Sequence, residues 1–302
     1  SGYYPYPPAQ GTGTQNLLSR RIQVRLTDLN PLINPGAIYF VVTKGVQWQD
    51  SQAENDNNNE SWRRFGFNYN DGGTPTDLSD ALVSTPTFFV NGQTQTTQRM
   101  KTPIDAWRHY VPTVQTADII VPHDSNFELD GTQGETYYSG RMQIGSSVVD
   151  NGDGTWTYRY AIFNQNSDRS ARSFSMPVQS TVTVSDPGFA DVDYHSGDGV
   201  GNVTFDGTDW AFALERGVDR LSWATQTFAE NENANALRWA TTYTFRFTAD
   251  APPAMVPATI GLFRPGVDPD PVVMVQGPRC VLAWDVDGDG AVGFADLNIV
   301  LS

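Results

Sequence analysis

Residues 237–248 change polarity at almost every second position. Leu237, Trp239, Tyr243, Phe245 and Phe247 fall on one side, and Arg238, Thr242, Thr244 and Arg246 on the other. A period of two is the spacing of a β-strand with one buried face, and it rules out the 3.6-residue spacing of an amphipathic helix. The same pattern marks residues 21–29, where Ile22, Val24 and Leu26 oppose Gln23, Arg25 and Thr27. It recurs over residues 155–163, where Trp156, Tyr158, Tyr160 and Ile162 oppose Thr157 and Arg159. That segment and residues 142–149 are joined by Asp150-Asn-Gly-Asp-Gly154, whose glycines suit a hairpin turn. Further strands are expected over residues 37–46, 65–67, 87–90, 119–121, 173–178, 181–184, 210–214, 221–227 and 259–263. Residues 107–110 read as either a helical turn or a strand, and residues 50–61 as a long polar surface loop.

Short strands separated by Gly, Asn and Pro turns predict an all-β chain. The expected fold is two antiparallel β-sandwich-like domains, immunoglobulin-like or jelly-roll-like, followed by a short C-terminal EF-hand-type calcium loop and helix. The expected divisions are an extended Tyr/Pro arm over 1–16, an N-terminal β domain over 17–133 and a C-terminal β-sandwich domain over 134–264. A proline-rich linker then covers 265–279, and the calcium loop covers 280–302. Pro265, Pro269, Pro271 and Pro278 argue against a central strand in the linker.

The most specific motif is Asp285-Val286-Asp287-Gly288-Asp289-Gly290-Ala291-Val292-Gly293-Phe294-Ala295-Asp296. Carboxylates stand at loop positions one, three, five and twelve, glycine at six and a hydrophobe at eight, which is the pattern of an EF-hand calcium loop. Ca²⁺ takes six to eight hard oxygen ligands, so a short loop must turn its acids inward around the ion. Gly290 permits the sharp turn. The ligands expected for Ca²⁺ are the side chains of Asp285, Asp287, Asp289 and Asp296 and the carbonyl of Ala291. Leu297, Val300 and Leu301 follow at helical spacing.

Composition narrows the function classes. The 302 residues include 19 Lys and Arg against 34 Asp and Glu, a net charge of −15. That balance argues against a phosphate-gripping basic face, so nucleic acid and anionic membrane surfaces are not expected partners. A single cysteine, Cys280, rules out an internal disulfide and a cysteine-based zinc site. No run approaches the length of a membrane span, and no signal-peptide pattern is visible, so Ser1 reads as a mature or trimmed N-terminus. A calcium loop suits the millimolar calcium outside cells, and the expected location is extracellular or at the cell surface.

No catalytic set emerges, and none is assigned. His109 and His123 read as structural. The acidic stretch carrying Asp191, Asp193, His195 and Asp198 reads either as a second metal or ligand loop or as a solvated turn. Trp210 and Trp223 beside it read either as core or as platforms for sugars. Tyr3, Tyr4 and Tyr6, interleaved with Pro5, Pro7 and Pro8, form an extended arm that is either pinned on its own domain or reaches a neighbouring copy. Asn59-Glu-Ser61 and Asn202-Val-Thr204 match the N-glycosylation pattern.

Several stretches carry a resemblance. They include Trp156 to Ser170, Asp191-Val-Asp-Tyr-His-Ser-Gly197, Asp206-Gly-Thr-Asp-Trp210, Ala236-Leu-Arg-Trp239 and Gly261-Leu-Phe-Arg-Pro-Gly266, with Asn30-Pro-Leu-Ile-Asn-Pro-Gly36 near the start. Together they resemble a family of uncharacterised, secreted, β-rich proteins of planctomycete-type bacteria. The resemblance implies export and a repeated β architecture and brings no catalytic residues. Separately, residues 285–301 resemble one repeat of a type I dockerin, which implies calcium binding and a cohesin-like partner. Dockerins carry two such repeats, and only one is present here.

Two functions are expected in consequence. The first is an extracellular structural protein, a calcium-stabilised subunit of a surface layer, fibre or filament whose partner is a second copy of itself. The second is a carbohydrate-binding or glycoside-active protein held by a dockerin-like tail.

Overall fold

The computed structural model describes residues 24–45, 56–74, 79, 81–127, 133–192 and 204–279. Two five-stranded antiparallel sheets dominate it. The first has the order β12-β15-β10-β9-β8 and the second β13-β14-β11-β16-β17. The strands are β8 (Gln115–Phe127), β9 (Gln133–Asp150), β10 (Trp156–Asn164), β11 (Ala171–Pro177), β12 (Val184–Ala190), β13 (Ala211–Glu215), β14 (Arg220–Ala224), β15 (Thr242–Ala249), β16 (Pro253–Leu262) and β17 (Val272–Pro278).

Alternation builds the core. Tyr158, Tyr160 and Ile162 of β10 point the same way as Tyr243, Phe245 and Phe247 of β15, and all six are buried. They meet Phe174 of β11 and Trp223 of β14 from the second sheet. Phe174 lies 5.0 Å from Phe245 and 5.1 Å from Tyr160, and Trp223 lies 5.4 Å from Phe245, ring centre to ring centre. Offset and tilted rings at these distances add directional attraction to the burial of large apolar areas. One hydrophobic core therefore joins both sheets. The hydroxyls of the two core tyrosines of β10 are satisfied: Tyr158 donates to the Ala251 carbonyl at 2.7 Å and Tyr160 to the Gln276 carbonyl at 2.7 Å.

The 150–154 hairpin forms as expected. Asn151 N–H bonds the Thr155 carbonyl at 3.0 Å, and Gly152 and Gly154 take positive φ of 77° and 84°.

The N-terminal segment is smaller than a second pair of large sheets. It holds a three-stranded sheet, β1 (Tyr39–Lys44), β2 (Glu60–Phe65) and β7 (Gln98–Arg99), and two two-stranded ladders, β3 (Tyr69–Asn70) with β4 (Leu82–Val83) and β5 (Phe89–Val90) with β6 (Gln93–Thr94). The ladder between β8 and β9 runs across the position expected as a domain boundary at 133/134.

Helix α1 (Leu26–Leu29) stands where the 21–29 strand was expected, with residues 21–23 outside the described residues. Local polar groups outweigh the alternation here. The Asn34 amide donates to the carbonyls of Thr27 and Asp28 at 2.9 and 3.2 Å, and Asn30 Oδ1 accepts the Leu32 N–H at 2.9 Å. Helix α2 (Pro103–Tyr110) resolves the helix-or-strand choice at 107–110. A capping box starts it: Thr102 N–H bonds Asp105 Oδ2 at 2.9 Å, Asp105 N–H bonds Thr102 Oγ1 at 3.2 Å, and Pro103 fills the first turn.

The expected linker is in part a strand. β17 pairs with β16 from Val272 to Pro278, and its edge position lets Pro271 and Pro278 bound it without breaking a central ladder. The 237–248 strand starts only at Thr242, because Ala240 takes a positive φ of 59° and turns the chain, leaving Trp239 37% exposed. Residues 181–183 likewise turn into β12 instead of pairing, with Thr183 N–H held by Asp250 Oδ1 at 2.8 Å.

Two polar knots tie these parts together. Lys44 and Glu60, both buried, form an ion pair at 2.9 Å. Gln165, on the corner between β10 and β11, bonds both of them, through its carbonyl to Lys44 and its amide to Glu60. On the far side of that corner Asp124 accepts Ser167 Oγ at 2.6 Å and the N–H groups of Asp168 and Arg169 at 2.6 and 3.2 Å. Burial pushes the Asp124 carboxyl up, and these three donors pull it back.

Candidate functional site

The calcium ligands Asp285, Asp287, Asp289, Ala291 and Asp296 lie outside the described residues, as do Asp193, His195, Asp198, Tyr3, Tyr4 and Tyr6. Asp191 is described, and it is engaged: the Asn235 amide donates to Asp191 Oδ2. Asn235 is fully buried, and its amide also bonds the Thr208 carbonyl at 3.0 Å while Tyr243 OH donates to its Oδ1 at 2.6 Å. This network fixes the end of β12 against the start of β13. Among the described residues no group of three or more acidic, His or Cys side chains is placed to hold a metal.

Trp210 and Trp223 are core residues, 3% and 1% exposed, so neither offers a face to a sugar. Trp210 stacks on Phe189 with centroids 5.7 Å apart and gives its indole N–H to the Asn235 carbonyl. His109, exposed on α2, sits 5.4 Å from Trp62 and 4.9 Å from Tyr110 at the margin of an aromatic cluster. His123 Nδ1 lies 2.7 Å from Asp268 Oδ2 and ties the β8 bulge to the β16–β17 loop.

Two features remain that act outward. The first is a sheet edge. Three of the four edges of the large sheets are blunted. β8 is bulged between Val121 and Ser125 and carries Pro122, and β12 is bulged between Ser185 and Gly188 and carries Pro187. β17 is bounded by prolines, and its Gln276 N–H is turned to Ser146 Oγ at 3.4 Å. β13 has no such device. Its register with β14 is unbroken from Ala211↔Ala224 to Glu215↔Arg220, and it contains no Pro, Lys or bulge. Phe212 and Leu214 pack inward and Ala211 and Ala213 alternate with them. Among the described residues no strand occupies its other side, which leaves a row of amides and carbonyls in reach of another chain.

The second is an open groove of about 590 Å³ on the outer face of the first sheet, walled by α2. Helix α2 lies there because Ile104, Ala161, Phe163 and Trp107 form a small apolar cluster behind the sheet. Gly145 allows the approach, since a Cβ there would stand 3.0 Å from Ile104 and Trp107. Arg159 of β10 and Arg246 of β15 are direct cross-strand partners on the groove side, and both are exposed. The stem of Arg246 lies over Gly188 of β12, where a Cβ would come within 2.4 Å of its Nε. Sequence alternation placed both arginines outward. It carried no signal that they face each other, because register is a property of two strands. The capping box Thr102-Pro103-Ile104-Asp105 was the readable signal for the helix that walls the groove.

No protein-family model matches the chain, and no curated protein matches it.

Proposed function

We propose that this is an extracellular structural protein that assembles with copies of itself by adding an extended segment of one chain to the β13 edge of the next. The observation that carries this reading is the β13 edge, which among the described residues is unguarded while the other three large-sheet edges are blunted. Proteins that stay apart guard every edge, and an edge left open is the feature used in strand addition. The two large sheets are read as faces of one sandwich, and the acids from Asp285 to Asp296 as an EF-hand-type loop and helix that bind Ca²⁺ and stabilise the assembly.

The Tyr/Pro arm has the chemistry of an added strand. Residues two apart send their amides to the same side of a strand. Over residues 4–7, Tyr4 and Tyr6 would then donate to β13 while Pro5 and Pro7, which lack an N–H, would face away, and Pro8, on the side of Tyr4 and Tyr6, would end the pairing. Such a strand accepts one neighbour and refuses a second.

The test is electron microscopy and sedimentation of the full chain, with and without calcium, beside Ala213→Lys and a chain lacking residues 1–16. Assemblies are expected for the parent with calcium. They should be lost in Ala213→Lys without a lower melting temperature, and lost on removing the arm. A strictly monomeric parent at high concentration, or assemblies indifferent to all three changes, overturns the reading.

A glycan-binding alternative rests on one observation. Tyr39, Phe65, Phe67 and Tyr69 line a hollow of about 330 Å³ with Asn34, Asn68 and Arg64 at hand. Aromatic faces beside amides suit a sugar. Its test is a glycan array in calcium, with Tyr69→Ala as the control, and silence on the array rejects it.

A further inference from the structure

The groove beside α2 has an unexpected electrostatic content for so acidic a chain. Three other arginines on the described surface are matched with carboxylates: Arg141 with Asp118 at 2.6 Å, Arg220 with Glu215 at 2.7 Å and Arg264 with Asp168 at 2.7 Å. Arg159 and Arg246 stand opposite one another on neighbouring strands, and among the described residues neither reaches a carboxylate. Like charges directly opposite on a sheet destabilise it, and an anion placed between them removes that repulsion. Two guanidinium forks side by side suit a carboxylate, which they bind with paired, charge-assisted hydrogen bonds.

The rest of the lining narrows the ligand. Ile104, Trp107 and Ala161 make an apolar wall, and the remaining polar side chains are the hydroxyls of Thr242 and Thr244. Among the described residues no carboxylate or side-chain amide lines the groove to accept the hydroxyls of a sugar. Its volume falls in the range of sites that hold a ligand by a mostly apolar surface and a few placed polar groups. It is an open groove and not an enclosed cavity, which suits a chain lying across it.

We propose that this groove docks an extended peptide segment of a partner protein, in which an acidic side chain is flanked by apolar ones. The carboxylate bridges Arg159 and Arg246, and the apolar side chain rests on Ile104 and Trp107. This site is separate from the β13 edge and does not depend on edge pairing.

The probe is a fluorescent peptide of alternating leucine and glutamate, five residues long and blocked at both ends, with its glutamine counterpart and trigalacturonate as comparisons. Binding is read by anisotropy on the full chain and again on Ala213→Lys, so that loss of assembly and loss of the groove are told apart. The glutamate peptide is expected to bind, and to bind more weakly as salt is raised. The glutamine peptide, or the double variant Arg159→Gln/Arg246→Gln, should weaken binding roughly tenfold or more, as expected for losing charge-assisted bonds. The melting temperature of the free double variant should hold or rise, because a repulsion has been removed. Absence of binding, equal binding of both peptides, indifference to the double variant, or a preference for trigalacturonate overturns the proposal.

Discussion

At the residue scale, Gly140 and Asp124 show how tightly single positions are held. A Cβ on Gly140 would stand 2.6 Å from the Asp124 carboxyl carbon, whose oxygens already accept three donors. Gly140→Ala is therefore expected to cost about 1–3 kcal/mol, the range for forced overpacking, measured as a lower urea midpoint. Acid stability follows from other carboxyls. Hydrogen bonds from Thr155, Thr208 and Thr183 hold Asp153, Asp206 and Asp250 below the usual 3.8, and the backbone N–H and hydroxyl of Thr227 hold Glu230 below 4.5. A depressed folded-state pKa gives stability that is present above the ordinary range and lost as pH falls through it. Asp124 runs the other way: burial raises it, so protonation on acidification favours the folded state. Unfolding midpoints should thus drop below about pH 4, the ordinary carboxylate range. The double variant Asp206→Asn/Asp250→Asn should flatten that drop, and an unchanged slope would contradict the assignment. The hydrogen-bonding threonines were visible in the sequence; which carboxylate each would hold was not, except where a single residue separates them, as in Asp206 and Thr208.

At the element scale, the three-stranded sheet is held to the large sheets by Gln165, which bonds both members of the cross-strand ion pair Lys44–Glu60 as well as the Asn57 carbonyl, and by one aromatic cluster. Phe40 lies 5.3 Å from both Trp62 and Tyr110, so the cluster joins β1, β2 and α2. Removing one partner of a buried pair leaves the other charge without compensation and costs about 3–5 kcal/mol. Glu60→Ala should therefore expose the N-terminal sheet to limited proteolysis while the large sheets stay folded. Lys44→Met/Glu60→Leu should regain much of the loss, since an apolar pair of similar volume avoids desolvation. Equal protease resistance in Glu60→Ala would show that the ion pair and its bond to Gln165 do not carry the junction. Most strands were legible by alternation, as in β10 and β15. Residues 21–29 misled because a period of two over few residues is weaker than side-chain bonds such as those of Asn30 and Asn34 to nearby backbone. β17 misled because prolines that exclude a central strand are tolerated at an edge.

At the scale of the whole molecule, the acidic chain and its calcium motif make one prediction of their own. Isothermal calorimetry should detect calcium binding that is lost in Asp287→Asn/Asp289→Asn, since Ca²⁺ affinity depends on the number of charged ligands. Calcium should also raise the melting temperature of the parent chain through binding to the folded state. Heat-free titration of the parent would remove calcium from the proposed role and leave edge pairing to stand on β13 alone.

The sequence by itself determined the β class, the hairpin at 150–154, the inward and outward faces of β10 and β15, and the acids that suit calcium. These depend on neighbours along the chain, where spacing and turn chemistry act directly. Only the tertiary structure decided that Trp210 and Trp223 are core, that among the described residues β13 stands at the edge of its sheet and that Arg159 faces Arg246. Those facts arise from which strands pair and in what register, a choice made by packing one large core between two sheets and not by any local pattern.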